Sequence, residues 1–297
     1  MRLVSLLPSA TEIVYALGLD DDLVGVTFEC DEPANARLDK TVVVGGRDTS
    51  GMTPGQIDEY VRAKTAGGED LYTLHAEALA QLSPDLILTQ DLCRVCALPS
   101  GQVSQALDFL GCQADVLSLD PYSLDEVLGT ILAVGRRAGA ADRAEHLVTS
   151  LRDRLARTAA LVDGRPRPRV AVVEWVDPPF TAGHWIPDLV LTAGGEPVAA
   201  SLGTPSEPIS WAAVAATQPD LIIVAPCGYH LAGAVEQARM ASTALPGVPV
   251  WAIDADGLVV RPGPRLVDGV EAIAAILHPG AVPAAPAGVV ELVSPGS

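Results

Sequence analysis

Positive charge is scarce in this sequence. Lys and Arg number 19 against 37 Asp and Glu, for a formal net charge of −18. Such a chain repels polyanions, which excludes nucleic acid and an anionic membrane surface as partners. Aromatic residues make up only 4% while 49% of the chain is hydrophobic, so a core must be built mainly from Val, Leu, Ile and Ala. No apolar run approaches the ~18 uninterrupted residues of a membrane span, so no transmembrane segment is expected. A Gly-x-Ser-x-Gly elbow, a phosphate-binding glycine loop and a compelling pair of acid/base carboxylates are also missing. Gly45-Gly46 and Gly194-Gly195 read as turn glycines. The residues favour a binding protein over an enzyme.

Two further shortages bear on the compartment. The opening residues, Met1 to Pro8, carry a single basic side chain, Arg2, and only a short apolar run. A secretory signal has a longer apolar segment followed by a small-residue cleavage site. No cysteine stands near the start to take a lipid anchor. As written, the chain reads as cytoplasmic, and a periplasmic or extracellular placement would require an upstream signal since removed. The five cysteines, an odd number, fit a reducing compartment. There they act as buried thiols, metal ligands or reactive groups rather than as a disulfide framework.

What is present is a βα alternation. Short β-branched runs at 3–7, 23–27, 41–44, 85–89 and 114–119 read as strands, and 9–17, 76–82 and 100–110 as helices between or beside them. Strands alternating with helices imply parallel pairing and a doubly wound sheet. From Leu124 to Val162 the pattern turns helical, with a break near Gly139 and a long helix from about Ala141. Arg169 to Val173 then restarts the βα pattern, and Pro219-Asp220-Leu221-Ile222 echoes Pro84-Asp85-Leu86-Ile87. This predicts an N-terminal lobe over 1–122, a helical linker over 123–165, a C-terminal lobe over 166–279 and a flexible Ala/Pro tail over 280–297. Gly257 to Val260 reads as strand-like.

These residues carry a resemblance. Val4 to Glu12, then Ala16-Leu17-Gly18 and Val24 to Thr27, resemble the opening of the helical-backbone (class III) substrate-binding proteins. The paired Pro-Asp-Leu-Ile segments are similar to that family's two lobe motifs. Phe28 to Asp31, Asp91 to Cys96, Glu174 to Phe180, Gly183 to Pro187, Ala225 to Gly228 and Arg261 to Arg265 resemble its cobalamin-binding subgroup. The resemblance implies an α/β fold of two doubly wound Rossmann-like lobes, joined by a long inter-lobe helix, with a ligand cleft between them. It also implies a cobalamin or other corrinoid as ligand, and an ABC importer or a cytosolic corrinoid acceptor as partner.

In an open α/β sheet, ligands bind outside the carboxyl ends of the strands. That rule selects Pro8, Ser9, Glu29, Cys30, Gln90 through Cys96, Trp175 with Glu174, and Cys227. Cys112 precedes a strand and reads as an ordinary buried thiol. Cys30, Cys93, Cys96 and Cys227 admit two readings, core packing or a thiolate cluster for zinc or an iron–sulfur centre. A redox dithiol at Cys93 and Cys96 is a third. Phe180, His184 and Trp185, with Trp175, gather aromatic side chains of the kind a flat metal-chelate ligand needs. His184 reads as an axial ligand, as a hydrogen-bond partner of the ligand, or as a residue fixing its loop. Arg261 would bind an anionic or amide group, or form a structural ion pair. The leading expectation is a non-catalytic binder of a cobalamin-like corrinoid or related metal chelate. The alternative is a cytosolic metalloprotein or enzyme built on the cysteines. Scarce basic residues make a triply anionic ferric siderophore the less attractive cargo.

Overall fold

A computed structural model of the chain describes residues 1–92, 99–110 and 112–293. The chain folds into two compact α/β units. The first comprises Met1–Pro121 with Leu128–Val148, and the second Tyr122–Val127 with the chain from Thr149 onward.

The first unit contains β1 (Leu3–Ser5), α1 (Pro8–Ala16), β2 (Leu23–Thr27), α2 (Ala36–Asp39), β3 (Thr41–Gly46) and α3 (Pro54–Ala66). It continues through β4 (Tyr72–Leu74), α4 (Ala76–Gln81), β5 (Leu86–Thr89), α5 (Ser100–Leu110) and β6 (Asp115–Ser118). The sheet order is β4-β3-β2-β1-β5-β6, parallel except at the β3–β4 edge. The order reverses at β1, so its topological switch point lies between β1 and β5. Val4, Leu6, Val43, Leu79, Ile87 and Val103 fill the core around this sheet. Each such side chain contributes roughly 1.5–3 kcal/mol on burial.

The helical stretch forms α6 (Leu124–Arg137) and α7 (Ala141–Val162). Gly139, at a φ of 71°, supplies the left-handed turn between them. Gly135 lets the two helices approach closely, since a Cβ there would lie 2.3 Å from that of Ala144. Rather than standing apart as a linker, this stretch is shared: 128–148 belongs to the first unit, and 124–127 with 149–162 to the second.

The second unit contains β7 (Arg169–Val176), β8 (Pro179–Thr181), α8 (Ile186–Thr192), β9 (Glu196–Val198), α9 (Trp211–Ala216) and β10 (Leu221–Val224). It ends with α10 (Leu231–Ala244), β11 (Val250–Ile253), α11 (Ala255–Leu258), α12 (Leu266–Leu277) and β12 (Val290–Val293). Its sheet runs β12-β11-β10-β7-β8, with β9 also pairing β7, and the switch point lies between β7 and β10. Ser210 caps α9 by accepting the Ala213 N–H, and Trp211 packs on the apolar core of this unit. On α7, Arg154 meets Asp268 and Glu271 of α12.

The two Pro-Asp echoes have one physical role. Asp85 accepts the backbone N–H of Arg2 at 2.7 Å, and Asp220 accepts that of Arg169 at 2.7 Å. In each unit the carboxylate fixes the start of the first strand against the start of its neighbour.

Two expectations are corrected here. Residues 257–260 are not strand-like: Asp254 caps a single helical turn by accepting the Gly257 N–H at 3.1 Å. That side chain offers the backbone a local partner a strand could not use. The flexible tail is also overturned in part, because β12 pairs antiparallel with β11 and Val293 is 4% exposed.

Candidate functional site

In the first unit the residues after β1, β2 and β5 are held from within. Pro8 is preorganised for the start of α1, and Ser9 is buried in its first turn. Cys30 is fully buried, with its Sγ 3.0 Å from the Thr11 hydroxyl. Glu29 accepts a hydrogen bond from the Tyr72 hydroxyl at 3.3 Å. Gln90 is buried, while Asp91 accepts from the backbone and hydroxyl of Ser100 and from the Ser118 hydroxyl. Asp120 in turn accepts the N–H groups of Asp91 and Leu92. Cys93 and Cys96 lie outside the described residues.

The second unit carries the more distinctive arrangement. Trp175, near the end of β7, pairs with Phe180 of β8, and its ring centroid lies 5.8 Å from that of Tyr229. Phe180 is half-buried and its backbone also bridges to Pro208. Burial pushes the Tyr229 hydroxyl above its ordinary pKa, and the nearby Glu236 carboxylate adds to the effect.

His184 sits in the β8–α8 turn with a φ of 51°, a left-handed conformation uncommon outside glycine. Its ring packs against Tyr122 and Trp185, each with its centroid 5.6 Å away. The imidazole Nε2 is buried with no hydrogen-bond partner among the described residues. Burial lowers the pKa of this imidazole from its ordinary value of 6.5, so the ring is neutral at physiological pH. An orphaned buried ring nitrogen costs free energy unless something meets it.

Trp185 differs from the sequence reading of it as a ligand wall. It is 5% exposed and its indole N–H donates to the Val259 carbonyl at 2.8 Å, so it braces α8 against the turn after α11. Arg261 pairs with Asp256 at 2.8 Å, both side chains nearly buried. The same carboxylate accepts the Gly228 N–H at 2.9 Å, tying the loop after β10 to α11. Cys227 is exposed at the end of β10. Among the described residues, no set of three or more His, Cys, Asp or Glu groups close enough to hold an ion includes a cysteine. The thiolate reading for zinc or an iron–sulfur centre also needs Cys93 and Cys96, which lie outside the described residues.

Sequence reasoning missed Tyr122, Tyr229 and Asp256. Tyr229 lies two residues beyond Cys227, so the strand-end rule carried slightly further would have reached it. Asp256 lies in α11, just before the stretch misread as a strand. Tyr122 follows β6, but its packing partner belongs to a distant segment and leaves no local signal.

The Periplasmic binding protein family profile matches residues 3–245. An uncharacterized ABC transporter substrate-binding lipoprotein of Bacillus subtilis (strain 168) is 26% identical over 285 residues, which is 94% of this chain and 80% of that protein. The crystal structure of a periplasmic vitamin B12 binding protein of Vibrio cholerae superimposes with a TM-score of 0.68 at 26% identity, covering 93% of this chain and 96% of that one. A periplasmic heme binding protein from Pseudomonas aeruginosa gives a TM-score of 0.73 at 23% identity, covering 99% and 98%. That likeness concerns the fold.

Proposed function

Because the chain belongs to the periplasmic binding protein family, as a two-lobed α/β substrate-binding protein of the ABC transporter class, we propose that its ligand is a cobalamin-like corrinoid. The observation that carries this reading is His184. A neutral imidazole set against two aromatic rings, with a buried Nε2 that has no partner among the described residues, is suited to one polar group on the rim of a large flat ligand. Trp175 and Tyr229, by the switch point between β7 and β10, supply further aromatic surface.

Charge favours a corrinoid over a haem or a ferric siderophore. The rim of a corrinoid carries mostly neutral amides, whereas haem propionates and siderophores are anionic. A chain of net charge −18, whose Arg261 is already paired with Asp256, offers little to an anion. The vitamin B12 binding protein of Vibrio cholerae, at 26% identity, supports the same ligand class. Delivery to an ABC importer follows from the family and forms part of the proposal.

Thermal unfolding in the presence of excess cyanocobalamin, haemin or a ferric siderophore tests the reading. A ligand that binds the folded state raises its stability by RT ln(1 + [L]/Kd). Cyanocobalamin is expected to raise Tm and the siderophore to leave it unchanged. No shift with any corrinoid would defeat the reading.

A further inference from the structure

Glu174 stands where β7 bulges. Val173 pairs with Thr181 and Trp175 with Phe180, and the register slips at the residue between them. A bulge re-aims the side chain it carries. Here the Glu174 carboxylate turns to the β8–α8 turn, where Oε1 accepts the Gly183 N–H at 2.7 Å and the Ser206 hydroxyl at 2.7 Å. The carbonyl oxygen of Glu174 accepts the Cys227 N–H at 3.2 Å. One residue at the switch point thus ties the turn before α8, the loop before α9 and the loop after β10.

The turn it grips is the one that presents the imidazole. A Cβ on Gly183 would lie 2.4 Å from the Ser206 nitrogen, so the 204–206 backbone presses directly on this glycine. The His184 N–H donates to the Thr204 carbonyl at 2.6 Å, and the Gly203 N–H donates to the His184 carbonyl at 3.3 Å. The left-handed backbone of His184 is strained and persists only where its surroundings hold it. Bonds to an ionised acceptor are the strong ones in such a clamp.

We propose that Glu174 is a positioning residue: its carboxylate fixes the Gly183–His184 turn, and so aims the His184 imidazole at the ligand. This rests on the reading of His184 as a ligand contact. Glu174 acts through His184 and need not touch the ligand.

A double-mutant cycle with cyanocobalamin as the probe tests this, with affinity read by equilibrium dialysis. Glu174→Ala is expected to weaken binding about tenfold in the wild-type background and to cost little more once His184→Gln is present. Glu174→Gln keeps an amide oxygen for both donors and should retain affinity within about threefold. Losses that simply add, or no rescue by glutamine, would overturn the proposal.

The ligand-free protein provides an independent reading. The ring resonances of His184 should move in Glu174→Ala and stay in place in Glu174→Gln. Should Glu174→Ala fail to fold, Ser206→Ala removes one bond of the clamp and should move the same resonances by less. If the wild type binds no corrinoid, the proposed ligand falls and the ring resonances still decide the role of Glu174. Resonances unmoved by Glu174→Ala or by Ser206→Ala would overturn it.

Discussion

The rings of Tyr122 and His184 lie with centroids 5.6 Å apart and planes inclined by 45°. Tyr122 follows the last strand of the first unit's sheet yet belongs to the second unit, where the next residues are also secured. The Leu124 N–H donates to Asp188 at 2.9 Å, and Asp125 pairs with Arg152 at 2.7 Å. The Trp185 ring also lies against the imidazole, and the partial burial of this ring makes its protonation costly.

The first prediction concerns pH. The folded His184 pKa lies below its ordinary value of 6.5, so the unfolded chain takes up the proton first on acidification. The contribution of His184 to stability is therefore fully present above 6.5 and is lost as pH falls from there toward the folded pKa. Unfolding by urea between pH 7.5 and 5 should show a decline in stability that His184→Gln flattens. An equally steep decline in the variant would contradict the assignment.

The second separates the two tryptophans. Trp185→Phe removes the donor to the Val259 carbonyl and should destabilise the fold by about 1–3 kcal/mol. Trp175→Phe, at a half-buried ring beside Tyr229, should leave stability nearly unchanged and weaken corrinoid binding several-fold. Urea unfolding and equilibrium dialysis on the same two proteins check the division of roles. An exchange of the two effects would refute it.

The third addresses β12. Val293 is 4% exposed and Leu292 is 50% exposed on the same strand. Val293→Asp buries an unpaired carboxylate and should cost about 2 kcal/mol or more, whereas Leu292→Asp should stay within ~0.5 kcal/mol. Equal effects would show that this strand does not seal the sheet edge beside β11.

Much of this architecture was legible in the residues. The Pro-Asp echoes announced two βα units because Asp85 and Asp220 do the same work, each accepting a backbone N–H at the start of its unit's first strand. The break near Gly139 and the start at Ala141 were readable because a left-handed glycine ends a helix locally. The failures share a different cause. Leu258-Val259-Val260 has strand-like side chains, yet the Asp254 cap decides the backbone there. Val290 to Val293 joins the sheet because the β11 edge is available to it, a long-range fact that an Ala/Pro-rich approach conceals. Trp185 shows the limit for the site, since composition marks an aromatic residue but not the direction in which its ring points.

The central claim is that this binding protein takes a corrinoid and meets it with His184. Equilibrium dialysis of cyanocobalamin against the wild type and His184→Gln tests it most directly, with the bound vitamin read by its visible absorption. Saturable binding of one cyanocobalamin per chain is expected, weakened about tenfold or more by the substitution. Absence of saturable binding to the wild type, or equal affinity in the two proteins, would contradict it.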